Sequence, residues 1–145
     1  MMIIKQLSVF LENKAGSRLN EVAALLGGAG VNMSAFSLAD NTDFGILRVI
    51  VSDVEKAQKV LRKNNFAAKI TDALCLRISN KPGALASALN ILADANIFIE
   101  YMYAFSQDTS ANVIIRVRDS DLETAMDILT KHQFELVAAN EIIKS

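Results

Sequence analysis

The sequence carries itself twice. Asn13-Lys14-Ala15-Gly16 returns 67 positions later as Asn80-Lys81-Pro82-Gly83, and Leu7, Val9 and Leu11 return at the same shift as Leu74, Leu76 and Ile78. Leu47, Val49, Val51 and Asp53 reappear as Val113, Ile115, Val117 and Asp119 at a shift of 66, and Phe66 reappears as Phe134 at 68. A near-constant shift over four separate segments marks a tandem duplication. This constrains the fold more than any other feature, because each architecture considered must be built from half a chain and then repeated. The seam falls at Thr71-Asp72, which divides the 145 residues into a domain over 1–71 and a second over 72–145.

Each copy has the same order of elements. Leu7, Val9 and Leu11 alternate with Gln6, Ser8 and Phe10, the period of a strand. After the Asn-Lys-Ala-Gly turn, Leu19, Val22, Ala23 and Leu26 keep the spacing of an amphipathic helix, which Gly27, Gly28 and Gly30 end. Val31 to Ala39 and Gly45 to Ser52 form two further strands, with Asp40-Asn41-Thr42-Asp43 turning between them. Asp53 is placed to cap a second helix that buries Val54, Ala57 and Leu61, and a short strand runs from about Phe66 to Ile70. In the second copy the helices bury Leu85, Ala88, Leu89 and Leu92, then Leu122, Ala125, Met126 and Leu129. The expected fold class is α+β: two ferredoxin-like βαββαβ repeats, each an antiparallel sheet with both helices on one face. The open face is not cleanly polar. Phe10, Ile46, Ile50, Cys75 and Ile114 are expected on it, beside Arg48 and Arg116, so a covering sheet or subunit is expected.

Composition narrows the function. Lys plus Arg total 15 against 16 acids, a net charge of −1, which gives no basic surface for nucleic acid or an anionic membrane. The third strands, Ile46 to Val51 and Asn112 to Val117, contain no aromatic residue on which a base would stack, so an RNA-recognition module is set aside. Cys75 and His132 are the only residues of their kinds, which leaves no disulfide framework and no Cys/His metal cluster. No metal ligand and no cofactor is expected. The N-terminus lacks a signal-peptide pattern, and no apolar run reaches the roughly 20 residues of a membrane span, so a cytoplasmic protein is expected.

Catalytic groups are equally scarce. His132 stands at an expected helix C-terminus, where a cation complements the dipole, and Asp119, Asp121 and Glu123 stand at a helix start, where acids are favoured. Gly27-Gly28-Ala29-Gly30 runs from helix to strand, the reverse of a nucleotide loop. Cys75 alternates within a strand and reads as a structural thiol. No residue is assigned a catalytic role. What remains is the repeated turn, which is either a plain strand-to-helix connector or a place where unpaired N–H groups at a helix start face an anion such as a carboxylate.

The order βαββαβ with Asn-Lys-Pro-Gly between strand and helix resembles the ACT domain. Asn80-Lys81-Pro82-Gly83-Ala84-Leu85 matches that pattern; Asn13-Lys14-Ala15-Gly16-Ser17-Arg18-Leu19 lacks the proline and has one residue more. Ala29-Gly30-Val31-Asn32-Met33 fits the family's helix-to-second-strand motif, whereas the second copy has Phe98 at the position of Asn32. The resemblance covers essentially the whole chain. It implies a non-enzymatic regulatory module that binds an amino acid or similar small molecule at domain interfaces. The ligand contacts it implies are Asn13, Lys14, Ala15, Gly16 and Ser17, Asn32, and Asn80, Lys81, Pro82, Gly83 and Ala84. One competent and one degenerate site are expected, with a homodimer and a separate metabolic enzyme as partners. The alternatives are a structural, oligomerising module without ligand, and a small enzyme on a ferredoxin-like scaffold.

Overall fold

A computed structural model describes residues 2–12, 18–40, 44–107 and 109–142. The chain forms two compact units, one of Lys5–Thr71 joined by Ile142, the other of Asp72–Glu141 joined by residues 2–4. Among the described residues no helix is long and apolar enough to cross a membrane.

In the first unit the elements are β1 (Ile3–Glu12), α1 (Leu19–Gly28), β2 (Met33–Asp40), β3 (Phe44–Val51), α2 (Val54–Lys63) and the start of β4 (Ala67–Ser79). The strand order is β2-β3-β1-β4. β3 pairs antiparallel with both β1 and β2, with Leu7 opposite Val49 and Phe36 opposite Val49 on the other side. Leu7, Val9, Leu47, Val49 and Val51 point one way and pack with Val22, Leu26, Ala57 and Leu61 of the helices.

The second unit repeats this with the rest of β4, then α3 (Ala84–Asp94), β5 (Ile99–Gln107), β6 (Ser110–Val117), α4 (Leu122–Lys131) and β7 (Glu135–Leu136). A 3-10 turn at Asp119–Asp121 precedes α4, and a four-residue helix α5 (Ala139–Ile142) follows β7. The order β5-β6-β4-β7 is antiparallel throughout, with Leu74 opposite Ile115 and Leu76 opposite Leu136. Leu74, Leu76, Val113 and Ile115 pack against Ala88, Leu92, Ala125 and Leu129. The fold is therefore α+β, two ferredoxin-like repeats.

Three local readings change. β4 runs without a break from Ala67 to Ser79, where two strands were expected, because the segment holds neither glycine nor proline to turn it. Ala23 is exposed and Leu25 packs on the core instead, so the buried stripe of α1 is rotated from the expected one. Gly27 and Gly28 lie inside α1; Gly30, at φ 74°, ends it, and Val31 N–H closes the turn onto Leu26 C=O at 2.9 Å. Asp53 caps α2, accepting from Lys56 N–H at 3.1 Å. On the face away from the helices, Ile50, Cys75 and Ile114 are fully buried within a single chain, while Phe10 is 36% exposed.

Candidate functional site

The turn of the second repeat is built by its ends. Ser79 pairs with Ser110, and Asn80 N–H donates to Thr109 C=O at 3.1 Å, so the end of β4 is tied to the β5–β6 hairpin. Pro82 fixes its own φ, and Gly83 takes a left-handed φ of 85° at the helix start, where the space around a Cβ would be empty. Conformation, not crowding, selects glycine there.

Ala84 N–H bonds back to Lys81 C=O at 3.2 Å, and Ser87 N–H and hydroxyl both go to Gly83 C=O. No side chain caps α3. The amides of Leu85 and Ala86 are thus left without a protein acceptor among the described residues, at the positive end of the helix dipole. Asn80, Lys81, Pro82 and Gly83 are all exposed.

The other expected ligand residues distribute as follows. Asn13, Lys14, Ala15, Gly16 and Ser17 lie outside the described residues. Asn32 is exposed just before β2 in the first unit; its N–H donates to the Ser52 hydroxyl at 2.9 Å, and its C=O accepts from Ser52 N–H. Phe98, at the corresponding place in the second unit, is 68% exposed.

Beside the second turn lies an open groove of about 470 Å³, between the end of β4, the start of α3 and the entry to β7. Ser79 and Ala84 join it to the turn, and Arg77, Ser87, Phe134 and Glu135 line it further on. Arg77 pairs with Glu135 at 2.5 Å and donates through Nε to Asn112 Oδ1 at 3.3 Å. Residues 133–135 escaped the sequence reading; the repetition of Phe66 as Phe134 is the one signal that pointed there.

The groups set aside as structural have structural partners. His132 caps α4, its Nδ1 2.9 Å from Ile128 C=O. Asp119 pairs with Arg116 and Asp121 with Arg118. Burial pushes the Cys75 thiol up to about 12, against the opposing pull of Arg77. Among the described residues no group of three or more His, Cys, Asp or Glu could hold a metal ion.

The comparisons agree with this architecture. A crystal structure of a Bacteroides thetaiotaomicron protein is 47% identical, covers 97% of this chain and 96% of its own, and superposes with a TM-score of 0.89. The ligand-free regulatory subunit of aspartate kinase from Thermus thermophilus shares the fold at 14% identity, covering 88% of this chain and 91% of its own with a TM-score of 0.64. No curated protein matches the chain. The family model described as an ACT domain pair matches residues 2–145, and the chain belongs to that family.

Proposed function

We propose that this chain is a non-catalytic cytoplasmic sensor that binds an amino acid or similar small molecule through its strand-to-helix turns. The carrying observation is the start of α3, where uncapped amides of Leu85 and Ala86 stand beside the left-handed Gly83. An α-carboxylate satisfies such amides, and the Asn80 side-chain amide orients the rest of the ligand. Asn13 to Ser17 are the matching elements of the first repeat, and Asn32 is the contact contributed from a second strand. Phe98 replaces that asparagine in the other copy, which favours one competent site over two equivalent ones.

The protein acts by pairing as a homodimer and by signalling to a separate metabolic enzyme. The Thermus thermophilus protein of this fold is a regulatory subunit of aspartate kinase, and an equivalent position beside another enzyme is inferred for this chain. A second reading, an oligomerising module without ligand, is favoured by Phe36 and Leu38, which stand 63% and 53% exposed on β2.

A thermal-shift screen of the twenty amino acids and common metabolites separates the two. A ligand at one hundred times its Kd adds about 2.7 kcal/mol to stability. A shift that is lost in Gly83→Val and weakened in Asn80→Ala supports the sensor; no shift at millimolar concentration with any compound overturns it.

A further inference from the structure

The two repeats place a phenylalanine at one structural position and treat it differently. Phe66 and Phe134 each follow a left-handed residue, Asn65 at φ 67° and Gln133 at φ 65°. Each N–H donates to a leucine carbonyl, Leu61 or Leu129, at 2.9 Å. The first helices also superimpose in sequence: Val22 and Leu26 correspond to Ala88 and Leu92, and the C-caps are Ala29 and Ala95. On that alignment Arg18 corresponds to Ala84 and Glu21 to Ser87.

In the first repeat Arg18 lays its guanidinium on Phe66, 3.9 Å from the ring centroid, and is held there by Glu21 at 3.1 Å. Phe66 is left only 4% exposed. In the second repeat Ala84 cannot reach, and Phe134 stands half-buried in the wall of the open groove. The first repeat therefore contains an occupant that the second lacks. Two charges flank the vacated ring. Glu135 is 56% exposed, and Arg77 bonds Glu135 and Asn112 through Nη1 and Nε, leaving Nη2 without an acceptor among the described residues.

We propose that this groove binds a guanidinium-bearing amino acid. Its guanidinium stacks on Phe134 as Arg18 stacks on Phe66, paired with Glu135 as Arg18 is paired with Glu21. Its carboxylate lies where the groove joins the second turn, between Arg77 and the uncapped amides at the start of α3. The volume of about 470 Å³ falls within the range of small-molecule pockets. The inference rests on reading the second turn as ligand-facing, and it names the chemistry of the ligand and the wall that selects it.

The test is calorimetric titration of the full chain with L-arginine, L-citrulline and agmatine. Citrulline keeps the shape and loses the cation; agmatine keeps the cation and loses the carboxylate. Arginine is expected to bind, with citrulline and agmatine each weaker by about tenfold or more. Phe134→Ala and the surface change Glu135→Gln are each expected to weaken arginine about tenfold. Ala84→Arg, which copies the first repeat, is expected to abolish binding with Tm retained. No heat with arginine at millimolar concentration, or equal affinity for citrulline or agmatine, overturns the proposal. So does arginine binding indifferent to Glu135→Gln. A different amino acid that depends on Gly83 but not on Phe134 or Glu135 overturns it too, while leaving the sensor reading standing.

Discussion

Gly30 in the first repeat and Asn96 in the second occupy the same place just past a helix, at φ 74° and 60°. Each is followed by a residue, Val31 or Ile97, whose N–H closes onto a leucine carbonyl at 2.9 Å. The side chain changed and the conformation did not, because glycine and asparagine are the residues that enter the left-handed region most readily. At the other end of the same helices the opposite happened. Arg18, the N-cap of α1, and Ala84, the first residue of α3, align at equivalent helix starts, yet one covers a phenylalanine and the other leaves its counterpart in an open groove. At these helix ends duplication has kept the position that shapes the backbone and released one whose side chain covers a neighbour, and a new specificity needs only the second kind.

The largest test of this equivalence is in the cores. Leu26 and Leu92 are 0% and 1% exposed at matching positions of α1 and α3. Leu26→Ala and Leu92→Ala are each expected to cost about 2–5 kcal/mol in urea denaturation, through lost burial and the cavity left behind. Comparable losses sharpen the comparison; a small loss in one repeat only breaks it.

A smaller effect is expected where the repeats differ in kind. Ile50 of β3 corresponds to Arg116 of β6, whose side chain is only 11% exposed. Burial opposes the charge, but Asp119 and Glu100 more than offset it and hold the guanidinium above its ordinary pKa. Arg116 bonds Asp119 at 2.9 Å, Glu100 at 3.2 Å and Asp72 C=O at 2.7 Å. Arg116→Met keeps the stem and removes these bonds. A loss of about 1–2 kcal/mol is expected, because both carboxylates reach solvent and are partly screened. A neutral result would show that an isoleucine-like residue serves both repeats equally.

What was legible in the sequence follows the same division. The strands of alternating Leu and Val, the Asp53 cap, the buried faces of α2 and α4 and, on α3, Ala88 and Leu92 were readable because each is fixed by residues a few positions apart, whereas Leu85 and Leu89 of α3 are only half-buried. The buried side of α1 departs from its expected stripe at Ala23, since stepping by three or four from Leu19 admits two neighbouring stripes in an alanine- and leucine-rich segment. The unbroken β4 is hidden in the sequence because its two halves belong to different copies of the pattern, and a repeat boundary resembles a structural boundary. For the proposed site, duplication points to the second turn, while the groove beside it joins residues 77–87 to 133–135 and carries no local pattern. The stacking of Arg18 on Phe66 was equally invisible, the two being far apart in the chain.

At the second turn itself, Gly83→Ala is expected to cost about 1 kcal/mol in urea denaturation, through the left-handed φ alone, since no atom lies near the added Cβ. A loss several times larger would mean that the turn is more tightly packed than its surroundings indicate, and would weaken its reading as an open ligand-facing loop.

The smallest expected effect separates Ser8 from Cys75, which hold the same register in β1 and β4. Both are buried, but only the thiol titrates in a measurable range, and burial raises it from 9.0 to about 12. Between those values the unfolded chain has lost the Cys75 proton and the native chain has kept it. The unfolded state then binds fewer protons, so stability falls as pH rises through that window and is unaffected below it. At a pH equal to the unfolded thiol's own value the loss is about 0.4 kcal/mol, and it grows with further alkalinity. Cys75→Ser, which makes the second repeat match the first, is expected to flatten that component of the urea midpoint against pH, whatever it does to absolute stability. An unchanged alkaline slope would mean that the thiol ionises in the folded chain near its ordinary value, and would contradict its burial.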